Sequence, residues 1–196
     1  MEKQKAKIHI STKAITQVAV MVALIIALSQ IYMPLPGGVP FTLQTMAIML
    51  AGIILGPTKG TLSVLIYVMM GAIGLPVFAG FSGGFGIIMG NTGGYIVGFI
   101  FAAFIIGLLS RPSQNKIIYW TKLLTGIILG QITIFLLGML WIMYLFGITS
   151  VSAGLAAAVT PFIIPELIKT PLAIVFGVKI KTALKTRKSQ PLTTND

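Results

Sequence analysis

A chain of 196 residues that is 56% hydrophobic and only 9% charged, with a mean hydropathy of +1.00, carries more apolar surface than a water-soluble fold of this length can hide. Lipid is therefore the expected solvent, and a single integral membrane domain the expected organisation. The absence of cysteine excludes disulfides, thiolate metal centres and thiol nucleophiles, and the net charge of +11 sits in short basic segments beside apolar runs, as juxtamembrane charge does, rather than as a nucleic-acid surface.

The first apolar run follows Lys3, Lys5, Lys7, His9 and Lys13. It continues to about Met33 with no small-x-small cleavage site behind it, so it reads as a retained helix rather than a signal peptide. Helix 1 is expected from about Lys13 to Met33, stopping before Pro34, Pro36 and Gly37–Gly38. Helix 2, short, is expected over Phe41–Leu55 and ends at Gly56–Pro57; helix 3 follows over Thr58–Ile73. Helix 4 is expected over Thr92–Leu109, helix 5 over Ile117–Phe146 and helix 6 over Thr160–Ile180. Trp120 and Trp141 on helix 5 are about 32 Å apart at ~1.5 Å per residue, the spacing of two interface anchors.

The connections alternate in charge. Lys59, then Arg111, Lys116 and Lys122, then Lys179, Lys181, Lys185, Arg187 and Lys188 join the basic N-terminus on one side, while the 1–2, 3–4 and 5–6 connections are uncharged. The positive-inside rule puts both termini in the cytoplasm, a parity that requires an even number of spans and supports six. Residues 1–12 and 182–196 are then expected as basic and polar cytoplasmic tails.

Glu166 and Lys169 lie inside an otherwise uncharged run, and Glu166 is the only acidic residue between Glu2 and Asp196. A charge at membrane depth costs roughly 2.5–3.5 kcal/mol on insertion scales, so its retention points to function. At i, i+3 the two share a helix face and can neutralise each other. Together they suit a ligand with amide-like donors and an acceptor; a structural ion pair inside the bundle is the plainer alternative. Five residues after Pro161, Glu166 is about 7–8 Å from the outer helix end.

The 3–4 connection, Gly74–Asn91, has six glycines, no charge, and Phe78, Phe81 and Phe85. Irregular backbone is tolerated at membrane depth only where protein covers it or it lines a cavity, so a re-entrant or lid-like segment is expected. Thr42, Gln44 and Thr45 open helix 2 and could face the same pocket, although capping explains such residues as simply. Ala19, Ala23 and Ala27 make a small-residue stripe on helix 1; Gly94–Gly98 and Gly126–Gly130 repeat the spacing. No G-x-x-x-x-G-K-[ST] loop, no metal-binding carboxylate or histidine cluster, no nucleophile–base pair and no inverted repeat is visible. Neither a cofactor nor catalysis is expected.

PFTLQT (Pro40–Thr45), LAGIILGPTKGTLSVLIY (Leu50–Tyr67), GAIGLPVFAG (Gly71–Gly80), TGGYIVGF (Thr92–Phe99) and the E-x-x-K pair occur in that order. In this the chain resembles the BioY family, the biotin-specific substrate-binding (S) components of energy-coupling-factor transporters, over nearly its whole length. The resemblance implies an all-α six-helix bundle that binds biotin near its outer face and does not catalyse. It implies binding roles for Glu166, Lys169, Ser82 and Tyr95, with Gln44 and Phe78 on the same pocket, and a docking role for Ala19, Ala23 and Ala27. It implies a transmembrane coupling subunit and two ATP-binding-cassette ATPases as partners, besides lipid. Glu166 stands where the family often has Asp, and Asn91 where a Pro commonly precedes T-G-G-Y. Another small vitamin, or a stand-alone proton-coupled or facilitative carrier, is the alternative.

Overall fold

A computed structural model describes residues 11–35 and 38–189. His9 and most of the N-terminal tail, Pro36 and Gly37, and the last seven residues of the C-terminal tail lie outside the described residues. Helix α1 (Thr12–Ser29) leads into a two-stranded hairpin, β1 (Tyr32–Met33) with β2 (Phe41–Thr42). Then come α2 (Gln44–Ala72), a 3-10 turn (Ala79–Phe81), α3 (Phe85–Met89), α4 (Gly93–Leu109), α5 (Lys116–Phe146), α6 (Val151–Ala158) and α7 (Thr160–Ser189).

The expected helices 2 and 3 are the two arms of α2. Gly56 breaks the helical path with φ +76° and ψ −172°, a conformation open to glycine, and Pro57 follows it. A Cβ on Gly60 would stand 2.6 Å from the carbonyl oxygen of Ala51. In a straight helix those residues would be about 13 Å apart at ~1.5 Å per residue, so the chain doubles back sharply. Gly107 of α4 presses on this bend, where a Cβ would meet Gly56 and Pro57 at 2.5 Å. Among the described residues, α1, the two arms of α2, α4, α5 and α7 make six apolar helical segments, the six that the sequence leads one to expect.

The first arm of α2 is short because it need not meet lipid. Every residue from Gln44 to Ile53 is buried, so this arm is the axis around which the others pack. Helices α4 and α5 approach through glycine. A Cβ on Gly98 would lie 2.9 Å from Ile134 Cα, and one on Gly130 would lie 2.8 Å from the Ile106 side chain. These two stripes are internal packing. The alanine stripe differs: Ala19, Ala23 and Ala27 are all exposed on the outer face of α1.

The two ends of the bundle differ chemically. At one end Lys59 donates to Gln17 at 2.7 Å, Lys181 to the Ser110 carbonyl at 2.5 Å, and the Ser110 hydroxyl to the Gly52 carbonyl at 3.1 Å. That end holds the bend of α2, the C-terminus of α4 and the basic stretch of α7. The other end holds the hairpin, residues 74–92 and α6. Helix α6 lies where the sequence reading has only a connection; its run of small residues caps the bundle, with Gly154 against Met143. Helix α7 continues past the expected Ile180 because its Lys, Thr, Ala and Leu residues stay helical after the apolar run ends. Trp141 is more than an interface anchor: its indole N–H donates to the Gly90 carbonyl at 2.9 Å, tying α5 to the end of the 74–92 segment.

Candidate functional site

A cavity of about 360 Å³ opens at the uncharged end, within the size range of small-molecule pockets. The hairpin, the 74–92 segment, α4, α5 and α7 contribute to its lining. Its walls are aromatic and aliphatic: Phe78, Tyr95, Ile96, Phe99, Phe135 and Phe162. Its polar side is Thr42, Gln44, Thr45, Glu166 and Lys169, and Ser82, Asn91 and Thr92 reach it from the loop.

Glu166 and Lys169 lie at its base, 8% and 4% exposed, with Lys169 Nζ 2.5 Å from Glu166 Oε1. Helix α7 carries both, and Pro165 just before Glu166 has no N–H to return to the ladder. Neither charge relies on the other alone. The Thr45 hydroxyl donates to Glu166 Oε1 at 2.7 Å and accepts from Lys169 at 2.7 Å. Lys169 also donates to the Thr42 carbonyl at 2.9 Å and lies 4.8 Å from the centre of the Phe41 ring. Its three N–H groups therefore have three acceptors. A ligand acceptor reaching Lys169 must exchange with one of these bonds.

The second carboxylate oxygen is held from α5, where Gln131 Nε2 donates to Glu166 Oε2 at 2.6 Å. Sequence reasoning passes over Gln131. Its signal is a lone amide in the apolar run ILGQITIF, at a depth where such a group needs a partner. The Gln131 carbonyl oxygen is buried without a hydrogen bond among the described residues. Thr45, read from sequence mainly as a capping residue, is instead a member of the ion-pair cluster, while the Thr42 hydroxyl accepts the first N–H of α2, from Gln44, at 3.2 Å.

The remaining candidates fall around the same cavity in different states. Tyr95 presents its ring, while its hydroxyl is occupied by the Ala158 carbonyl at 2.7 Å. Phe135 and Phe162 brace that ring, with centroids at 6.4 and 6.1 Å. Gln44 turns its amide away: Nε2 donates to the Tyr67 hydroxyl at 2.5 Å and Oε1 accepts from Thr42 at 3.0 Å. Phe78 is 2% exposed and packs edge-on against Tyr67. Ser82 donates to the Ala79 carbonyl at 2.8 Å, a bond it can surrender without leaving a buried atom stranded, because Ser82 is only half-buried. No cluster of three or more potential metal ligands occurs among the described residues.

The sequence model of the BioY family matches residues 1–186. "Probable biotin transporter BioY" of Pyrococcus horikoshii is 40% identical over 169 residues, which is 86% of this chain and 96% of that protein. "Biotin transporter BioY" of Thermotoga maritima is 35% identical over 170 residues, with the same two coverages. The fold is that of a solved S component for biotin from an ECF-type ABC transporter, with a TM-score of 0.74 at 33% identity, covering 88% of this chain and 91% of that one. These relatives are transport proteins and not enzymes. The bundle, the order of its motifs and the full-length match lead to one conclusion: this chain is a multi-pass membrane protein of the BioY family.

Proposed function

We propose that this protein captures biotin in the cavity at its uncharged end and delivers it for ATP-driven import. The observation that carries the reading is the buried Glu166–Lys169 pair at the base of an otherwise apolar-walled cavity. Biotin presents two ureido N–H donors, a ureido oxygen, an apolar bicycle and a carboxylate tail. The donors suit Glu166, whose Oε2 accepts one bond from Gln131 and has a lone pair to spare. The ureido oxygen or the carboxylate suits Lys169, in exchange for its bond to the Thr42 carbonyl. The bicycle packs against Phe78 and Tyr95, and Ser82 supplies a further hydroxyl from the loop.

The basic end faces the cytoplasm in this reading, which puts both termini inside and the cavity outside. The partners are a transmembrane coupling subunit and two ATP-binding-cassette ATPases. The exposed Ala19–Ala23–Ala27 face of α1 supports docking, because small side chains let a partner helix approach closely. Uptake of labelled biotin into liposomes tests the whole reading. It should require the coupling subunit, both ATPases and ATP. Uptake by the chain alone that collapses with a protonophore would instead make it a proton-coupled carrier. Saturable binding of another vitamin but not biotin would change the ligand.

A further inference from the structure

Segment 77–82 supplies Phe78, Ala79 and Ser82 to the cavity wall. Val77 and Phe78 anchor its start in the core, but its tip at Phe81 is exposed and has no such packing to hold it. Phe81 has φ +54°, the only non-glycine residue at positive φ among the described residues, and is 71% exposed. An L-residue with a bulky side chain adopts this conformation only where something outside it fixes the backbone. That fixture is one amide at the end of α1. Gln30 Oε1 accepts from the Phe81 N–H at 2.8 Å, and Gln30 Nε2 lies 3.2 Å from the carbonyl oxygens of both Val77 and Phe78. Its neighbour Ser29, fully buried, donates to the Val77 carbonyl at 2.7 Å. The turn is closed on its far side by the Phe78 N–H donating to the Ser82 carbonyl at 2.9 Å. A single side chain thus grips both limbs of the turn, from a helix that contributes nothing to the cavity lining.

We propose that Gln30 is a positioning residue: it clamps the 77–82 wall over the cavity and sets how long the ligand stays bound. The ligand half of this inference rests on the reading that biotin occupies the cavity; the clamp itself does not. Gln30→Met keeps the length of the side chain and removes every bond. Gln30→Glu keeps the acceptor for Phe81 and loses the donors to Val77 and Phe78. Hydrogen–deuterium exchange of residues 77–84 in ligand-free protein reads the clamp, and a biotin chase reads the dissociation rate. Because Gln30→Met deletes several hydrogen bonds at once, both rates should rise about fivefold or more, with the exchange of α4 and α5 unchanged. In Gln30→Glu the Phe81 amide should stay near wild-type protection while biotin leaves at an intermediate rate. If Gln30→Met does not fold, Ser29→Ala, which removes one bond to the same segment, should raise both rates by a smaller factor.

Exchange as slow in Gln30→Met as in wild type overturns the clamp. Faster exchange with unchanged biotin dissociation overturns its role in retention. A wild-type protein that binds no biotin removes the ligand half together with the proposed function, and the exchange measurement then decides the clamp alone.

Discussion

Gln131 of α5 donates to Oε2 of Glu166 on α7 at 2.6 Å, so the buried carboxylate is oriented by a helix other than the one that carries its lysine partner. Lys169 and Thr45 share Oε1, and Gln131 alone holds Oε2 among the described residues. Replacing Gln131 by Leu leaves that oxygen short of a donor at low dielectric, which costs roughly 1–3 kcal/mol. Biotin affinity should fall about five- to fiftyfold, and thermal stability should drop with it. Calorimetric titration and a melting curve of Gln131→Leu check this; wild-type affinity would show that Glu166 needs no help from α5.

Tyr95 can serve as a wall because nothing behind it yields. A Cβ on Gly138 would overlap the Tyr95 ring, and the ring cannot swing away while its hydroxyl holds the Ala158 carbonyl. Gly138→Ala should therefore destabilise the fold by about 1–3 kcal/mol through overpacking and weaken ligand binding as the ring is pushed into the cavity. Gly147→Ala, at a positive φ of 65° but with open space around it, should cost stability without moving the cavity. Equal binding losses in the two variants would argue against Tyr95 as a wall.

Topology is open to direct measurement because the chain contains no cysteine. A cysteine at Ser82 or Thr149 should react with an impermeant thiol reagent in intact cells, the former more slowly when biotin is present. A cysteine at Thr58 or Ser113 should react only after permeabilisation. The reverse pattern would invert the protein in the membrane.

The alanine stripe separates binding from coupling. Ala23→Leu adds an isobutyl group to an exposed face remote from the cavity lining, so biotin binding should be unchanged. Close helix approach by a partner should be blocked, and ATP-driven uptake in liposomes should fall at least severalfold. Undiminished uptake would move the docking face elsewhere.

The helices are legible in the sequence because their boundaries are written locally. Prolines and glycines stop them, charge marks their ends, and the Gly56–Pro57 pair gives the bend of α2. The Glu166–Lys169 pair is legible because charge inside an apolar run stands out against its surroundings. What surrounds the pair is not. Gln131 lies 35 residues from Glu166 and Thr45 lies 121 residues away; only the packing of α2 and α5 against α7 brings them together. The chemistry of Gln44 suits the cavity, yet its amide turns to Tyr67, a partner that no spacing rule identifies. Helix α6 escapes a reading of the sequence because VSAGLAAA is short and small-sided, with too little periodicity to separate helix from connection.

One biotin per chain is expected to bind in the cavity built over Glu166 and Lys169. Parallel titrations of purified wild-type protein and Glu166→Ala, by calorimetry with native mass spectrometry for stoichiometry, test it most directly. Removing Glu166 strands Lys169 as a buried unpaired charge, a loss of roughly 3–5 kcal/mol when one partner of such a pair is deleted. Wild type should saturate at one biotin per chain, and Glu166→Ala, still folded, should bind more than tenfold more weakly. A wild-type protein that takes up no biotin, or a folded Glu166→Ala that binds it as tightly, would contradict the account.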